Sequence, residues 1–295
     1  MSDIILHHYW PSPVAEKVRV YLGFKGIRWK SVEIPRIPPK PDVIALTGGY
    51  RRTPVMQIGA DIYCDSQCIL RELERRHPDK GGAVLPWGLS RWTDGEAFTH
   101  AIRVVLGAQV ESLDRAFLED RARLYFGSQW TAESIAAGVD SSLNYLAAAF
   151  DWIDQELTQE NRSEFLSGTT PGLADAFCYY LVWFVQGRFA GGPELVARYP
   201  QLHAWMQRVE AIGYGEYDDL SSTDAIAIAH KAKLSQDVTE GIQVSVQPDG
   251  DGGDPAVTGT LVKQTLDEFI VQREDERAGM VHVHFPVVGY LLTRL

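Results

Sequence analysis

Tyr9-Trp10-Pro11-Ser12-Pro13-Val14-Ala15-Glu16-Lys17-Val18-Arg19-Val20-Tyr21-Leu22 is the stretch on which the reading of the chain depends. Ahead of it, the apolar run Ile4-Ile5-Leu6 has the length and character of a short buried strand. Behind it, Val14, Val18, Tyr21 and Leu22 recur at helical spacing. Ser12 therefore stands at a strand-to-helix junction. Proline is favoured at the first helical position, so Pro13 marks Ser12 as an N-cap, beside unpaired backbone N–H groups and the positive end of the helix dipole. Such a position suits an anion. A bare Ser-Pro at a helix start is more often a cap and nothing else, so the rest of the chain has to decide what Ser12 does.

Gly26 stops this helix, and Trp29 to Ile34 alternates as a second strand beside the first, giving a βαβ start. Pro35 to Pro41 reads as irregular, Val43 to Leu46 as one helical turn, and Gly48 to Arg52 as loop. Thr53-Pro54-Val55-Met56-Gln57-Ile58 and Ile62-Tyr63-Cys64, joined by Gly59-Ala60-Asp61, form a hairpin. Pro54 stands at the start of its first strand, where a missing N–H is tolerated. Asp65-Ser66 then opens a helix to about His77, with Ile69, Leu70 and Leu73 inward.

This order, βαβ, loop, hairpin, helix, resembles the thioredoxin-like N-terminal domain of the cytosolic glutathione S-transferases. Ser-Pro-Val-Ala-Glu-Lys-Val-Arg at 12–19, followed by Lys25-Gly26-Ile27, is similar to the first-helix motif of that superfamily. Arg52-Thr53-Pro54-Val55 followed by Asp65-Ser66 resembles its glutathione-binding motif. The resemblance implies that Ser12, as in Ser-type members, is the catalytic residue and binds the glutathione sulfur, with Tyr9 as the alternative hydroxyl. It implies a cis Pro54 that presents the backbone of Val55 to the cysteinyl part of glutathione, Asp65 and Ser66 holding the γ-glutamyl end, and Arg52 near the glycyl carboxylate. A helix N-terminus suits a carboxylate, and Asp65 suits an ammonium. Glutathione is thus expected as co-substrate with a small electrophile and no metal, in conjugation, thiolytic cleavage or isomerisation of the detoxification type. A serine in place of a cysteine disfavours a mixed disulfide with the enzyme. The second-substrate pocket is expected between two domains, with contributions from Tyr9, Trp10 and Arg103, although Arg103 equally suits a solvated helix face.

Beyond the first domain the pattern is helical. Trp92 to Leu124 carries Phe98, Ile102, Val105, Leu106, Val110 and Leu113 on one face, and Ser134 to Leu157 forms another helix. Phe165 to Ala176 resembles the buried-helix signature of the transferase C-terminal domain, with Gly172 in place of the usual Ser or Thr cap and Asp175 three residues on. The helix behind it, through Phe177 to Phe184, is apolar all round and reads as core. Tyr199 opens a further helix, and Ser222 to Leu234 another. Gln236 to Leu295 reads as β structure outside the ordinary two-domain transferase, with strands expected at 242–246, 257–264, 268–273, 281–285 and 289–292. The expected fold is an α/β thioredoxin-like glutathione-binding domain (1–82), an all-α helical bundle domain (90–234) and a small C-terminal antiparallel β domain (236–295), the last packed on the helical one. Relatives pair as twofold homodimers, so a homodimer is expected. The competing function is a non-catalytic transferase-like binding protein that uses the β domain to recruit a partner.

Composition bounds these readings. With 295 residues, 45% of them hydrophobic, the chain can bury more than one core. A formal charge of −11 argues against a nucleic-acid partner. No apolar stretch reaches the roughly 20 residues that span a bilayer, and Met1-Ser2-Asp3 does not start a signal peptide, so no membrane and a cytoplasmic location are expected. Cys64, Cys68 and Cys178 have neither disulfide nor metal spacing; Cys64 and Cys68, one helical turn apart, read as buried thiols under a packed helix. His282 and His284 share one strand face, but no third ligand is evident, so a structural or solvent-facing role is expected and no metal.

Overall fold

The computed structural model describes residues 3–78, 86–158, 164–234 and 241–295; the domain boundaries expected at 82 and 236 lie outside them. The backbone divides into two compact units. One comprises Met1–Val18, Ile27–Pro78 and Glu216–Leu295, the other Arg19–Gly26 and Asp79–Gly215.

The chain opens with β1 (Ile4–His8), α1 (Pro13–Phe24), β2 (Trp29–Glu33), α2 (Pro41–Thr47), β3 (Val55–Ile58), β4 (Asp61–Cys64) and α3 (Ser66–Arg76), all in the first unit except the part of α1 from Arg19 on. β1 is buried along its whole length, as a strand covered on both faces must be. It pairs in parallel with β2, from Ile4↔Trp29 to His8↔Glu33, and antiparallel with β3, from Ile5↔Gln57 to His7↔Val55. β3 and β4 form the expected hairpin. Cys64 and Cys68 do not share a helix: Cys64 closes β4 and Cys68 lies in α3, both buried.

The second unit is helical. α4 (Pro86–Trp92) runs through a π-helical segment, Thr93–Ala97, into α5 (Phe98–Gly107); α6 (Arg115–Phe126), α7 (Ala132–Ala137), α8 (Val139–Thr158), α9 (Leu173–Arg188), α10 (Gly192–Ala197) and α11 (Pro200–Ile212) follow. The single helix expected over 92–124 is therefore broken. Asp114 starts a new one by accepting the Phe117 N–H at 2.9 Å, and Val110 and Leu113 fall in the break. Asp175 replaces the missing cap hydroxyl at Gly172 with more than half a capping box. Its fully buried carboxylate accepts the N–H groups of Leu166 (2.8 Å), Ser167 (3.0 Å) and Gly172 (3.0 Å) and the Trp205 indole N–H (2.8 Å).

The chain then returns to the first unit with β5 (Tyr217–Asp219), α12 (Ser222–Lys231), β6 (Gln243–Pro248), β7 (Val257–Gln264), β8 (Glu268–Asp275), β9 (Gly279–Pro286) and β10 (Tyr290–Arg294). Among the described residues all strands join one ten-stranded sheet in the order β10-β6-β7-β8-β9-β4-β3-β1-β2-β5. The C-terminal strands are antiparallel among themselves, as expected, but where they were expected on the helical domain they belong to the first unit and extend its sheet. β9 adds in parallel to β4, with Asp61↔His282, Ile62↔Val283 and Tyr63↔His284 in register. Val281, Val283 and Phe285 thereby enter the same core as Ile5, Val55 and Ile62, together with Val43 and Leu46 of α2 and Ala225 and Ile226 of α12.

The junction between β4 and β9 also explains the two histidines, which are buried. His284 contacts Glu268 Oε1 through Nδ1 (2.9 Å) and Asp61 Oδ1 through Nε2 (3.0 Å), with the Tyr63 ring stacked on it at 4.3 Å. Both nitrogens face carboxylates, the pattern of an imidazolium. Burial opposes its charge, but the two acids outweigh it and raise its pKa; burial likewise opposes ionisation of Asp61, yet hydrogen bonds from the two imidazoles hold its carboxyl below the usual range. Among the described residues no group of three or more His, Cys, Asp or Glu is arranged to hold a metal ion.

A raised His284 contributes stability fully below its unfolded pKa of about 6.5, which is lost as pH rises through the folded value. A depressed Asp61 contributes above about 3.9, which is lost in acid. His284→Gln is therefore expected to cost on the order of 2 kcal/mol at pH 5.5 and clearly less at pH 9. Thermal unfolding followed by circular dichroism checks this, and an equal penalty at both pH values would refute the charged pair. Asp175→Ala strands four donors, the Gly172 N–H and the Trp205 indole N–H among them buried, and is expected to cost about 3 kcal/mol in urea unfolding.

Candidate functional site

The ends of three strands meet at one end of the sheet. β1 and β4 finish there and β3 begins there, because β3 is antiparallel to both, with Val55 opposite His7 and Cys64. Ser12, Thr53-Pro54-Val55 and Asp65-Ser66 each flank one of these ends, so the topology gathers three short segments far apart in sequence. Ser12 is buried and caps α1. Its Oγ accepts the Ala15 N–H at 3.2 Å and its carbonyl accepts the Glu16 N–H at 2.9 Å. The cap fixes the oxygen while leaving a hydroxyl hydrogen to be directed elsewhere.

The Thr53–Pro54 bond is cis. Val55 is wholly buried and paired on both sides, so its backbone is not the open edge that the motif resemblance implied. Thr53, on the other side of the cis bond, is half-buried, and its hydroxyl accepts from the ammonium of Lys40 at 2.9 Å. The same ammonium donates to the Arg51 carbonyl at 3.1 Å. Lys40 is itself buried, so it places a cation beside this corner.

Asp65 adopts φ 75°, a region that a non-glycine residue enters only where its surroundings enforce it, and one enriched at functional sites. Its Oδ1 accepts the Gln67 N–H at 2.8 Å, capping α3, and Ser66 beside it is buried. Oδ2 accepts at 3.0 Å from the hydroxyl of Tyr290, a residue of β10, which also lies 3.4 Å from the Tyr50 hydroxyl. Burial, and after it the charge of Asp65, pushes both phenols well above their ordinary pKa, so both stay protonated. Arg52 is bound in the same manner by the C-terminal segment: its Nε and Nη2 donate to the two oxygens of Asp254 at 3.0 and 2.5 Å.

Residues 6–81 match the glutathione S-transferase N-terminal domain and residues 70–208 the glutathione S-transferase C-terminal domain. A GST-like protein from Pseudomonas syringae of known structure is 35% identical, with a TM-score of 0.78 and all of both chains covered, the C-terminal strands included. The chain belongs to the cytosolic glutathione S-transferase superfamily. Among curated relatives, glutathione S-transferase U4 of Arabidopsis thaliana is 20% identical over 215 residues, 72% of this chain and 86% of its own. The β-etherase LigF of Sphingobium sp. strain SYK-6 shares the fold at 15% identity and a TM-score of 0.53, over 72% of this chain and 96% of its own.

In this superfamily member Tyr9 and Trp10 belong to the first unit and Arg103 to the second. Tyr9 is buried in the core of the first unit, with the Lys40 ammonium 5.9 Å from its ring centre. Trp10 packs edge-on against His8 (4.9 Å) and beside Tyr217 (5.6 Å). Arg103 belongs to the helical unit, where it donates to the Ser134 carbonyl at 3.1 Å and lies 4.7 Å over the Phe126 ring. An apolar cavity of about 450 Å³ in that unit, walled by Trp92, Trp152, Ile153 and Cys178, is lined by none of the catalytic, glutathione-binding or second-substrate residues expected from sequence. All three cysteines are buried, and burial raises each thiol's pKa, so none is poised as a thiolate.

Sequence reasoning passed over Lys40, Asp254 and Tyr290. Lys40 was hidden in a proline-rich stretch, where a lone lysine carries no periodic signal. Asp254 and Tyr290 reach the site only through the β4–β9 pairing. Tyr290→Phe removes the hydroxyl from Asp65 and leaves the ring in place; it is expected to cost about 1 kcal/mol, read from chemical unfolding.

Proposed function

We propose that the chain is a glutathione transferase in which Ser12 donates its hydroxyl hydrogen to the glutathione sulfur and, with the N-terminus of α1, favours thiolate over thiol. The observation that carries this reading is the gathering, at one sheet end, of a serine-capped helix, a cis-proline turn and a second helix capped by Asp65. Free thiols titrate near 8.5, and each pKa unit of depression reflects about 1.4 kcal/mol of preferential stabilisation, so one or two units make the thiolate abundant at neutral pH.

The remaining parts of the tripeptide have matching partners. The α3 N-terminus at Ser66 suits the γ-glutamyl carboxylate, and Asp65 suits its ammonium. Arg52 and Lys40 supply cations for the glycyl carboxylate. The extended cysteinyl backbone is assigned to Thr53 instead of Val55, since Val55 already has a strand on either side. The thiolate then forms a bond to an electrophilic carbon, and the electron pair displaced leaves with the leaving group or takes up a proton. Because serine forms no disulfide, the sulfur chemistry stays on glutathione.

Calorimetry with glutathione and turnover with a panel of electrophiles test the reading. Ser12→Ala is expected to lower kcat about a hundredfold while changing glutathione affinity by less than about threefold, since the hydroxyl acts on the sulfur and the charged ends are held elsewhere. Unchanged turnover would transfer the role to Tyr9. Failure of the wild-type chain and of the loop variant described next to bind glutathione would favour the non-catalytic binding protein.

A further inference from the structure

The two charged side chains assigned to opposite ends of glutathione, Arg52 and Asp65, are both already engaged, Arg52 by a loop and Asp65 by a strand of the C-terminal segment. Asp254 lies in the β6–β7 connection, Asp249-Gly250-Asp251-Gly252-Gly253-Asp254-Pro255. Its carboxylate meets the Arg52 guanidinium through two parallel hydrogen bonds, the geometry by which arginine recognises a carboxylate of any origin. The Asp254 side chain is only 6% exposed, so the pair is seated in the protein and not merely a surface contact. Pro255 follows it down: a Cβ added at Gly49 would lie 3.5 Å from the Pro255 Cβ. The connection is tied to the β9–β10 turn by the Asp249 N–H donating to the Gly289 carbonyl at 2.9 Å, and that turn leads into Tyr290. Gly250 (φ 138°) and Gly253 (φ 73°) hold backbone conformations that side chains resist, so the loop is built on residues able to change path at little steric cost.

We propose that the β6–β7 loop is a built-in competitor for the co-substrate: Asp254 occupies Arg52 in place of the glycyl carboxylate, and glutathione binds by displacing it. This rests on the transferase reading and on Arg52 as the carboxylate partner. Apparent affinity is then the intrinsic affinity reduced by the fraction of molecules in which Arg52 is released. Neutralising Asp254 removes that reduction, whereas a structural tether would only weaken the site when cut.

The test is calorimetry on the full-length chain and its Asp254→Asn variant, with glutathione and with glutathione monoethyl ester, which lacks the glycyl charge. The variant is expected to bind glutathione about tenfold more tightly and the ester within about twofold of wild type. Binding by the variant alone also supports the loop as competitor. Equal or weaker glutathione binding by the variant, or the same gain for the ester, overturns it while leaving the transferase reading intact; no binding by either protein overturns that reading and the loop's role with it. Hydrogen exchange of the wild-type chain gives a second readout independent of the variant's folding. Amides of 249–254 are expected to exchange faster with saturating glutathione, and slower or unchanged exchange counts against the proposal.

Discussion

The outer edge of β4 is the constraint from which the rest of this structure follows. An edge strand presents a row of unpaired N–H and C=O groups that must be covered, shortened or paired. Here β9 pairs it, and pairs it in parallel over Asp61↔His282 to Tyr63↔His284. Parallel strands end at the same end of a sheet. The turn after β9 therefore emerges beside the turn after β4, which puts Tyr290 within reach of Asp65. An antiparallel addition would have sent that turn to the opposite end. The same register sets His284 between Asp61 and Glu268, so one backbone pairing locks the joint with a buried histidine held by two half-buried acids and brings Tyr290 to Asp65.

The site is balanced in charge within itself. The two cations Lys40 and Arg52 are matched in number by Asp65 and Asp254, with Arg52 paired directly to Asp254, although the chain as a whole carries a formal charge of −11. In a half-buried corner, a cation without a partner would bear the full penalty of desolvation, so a site built for an anionic co-substrate either stays wet or supplies its own counter-ion. Arg52 takes its counter-ion from Asp254, and Lys40 is satisfied by the neutral acceptors of Arg51 and Thr53.

The helical unit illustrates how one residue can compensate for another. Gly172 offers no side chain to cap α9, but Asp175 gathers four donors, including the Trp205 indole, and so fixes the preceding loop and a neighbouring helix together. Conversely, the long apolar pattern from Trp92 to Leu124 overstates helix continuity. A Cβ at Gly107 would sit 2.5 Å from the Val139 side chain, so α5 and α8 approach closely there, and the chain turns away before Asp114 caps the next helix. Periodicity records which residues face inward and is silent about a turn between two inward-facing stretches.

The sequence by itself determined the elements whose signals are local: the Ser12-Pro13 cap, the hairpin around Gly59, the Asp65-Ser66 helix start, the Asp175 box and the strands of the last sixty residues. These depend on backbone preference and on hydrogen bonds reaching only a few residues. Tertiary structure alone decided which sheet edge the last strands cover, that Val55 has a strand on both sides, and that Lys40 meets Thr53, Asp254 meets Arg52 and Tyr290 meets Asp65. The physical reason is that strand pairing uses backbone groups common to all residues. A strand's partner, and the side chains delivered by that partnership, are fixed by the burial of the whole core and by register, and no short stretch of sequence encodes them.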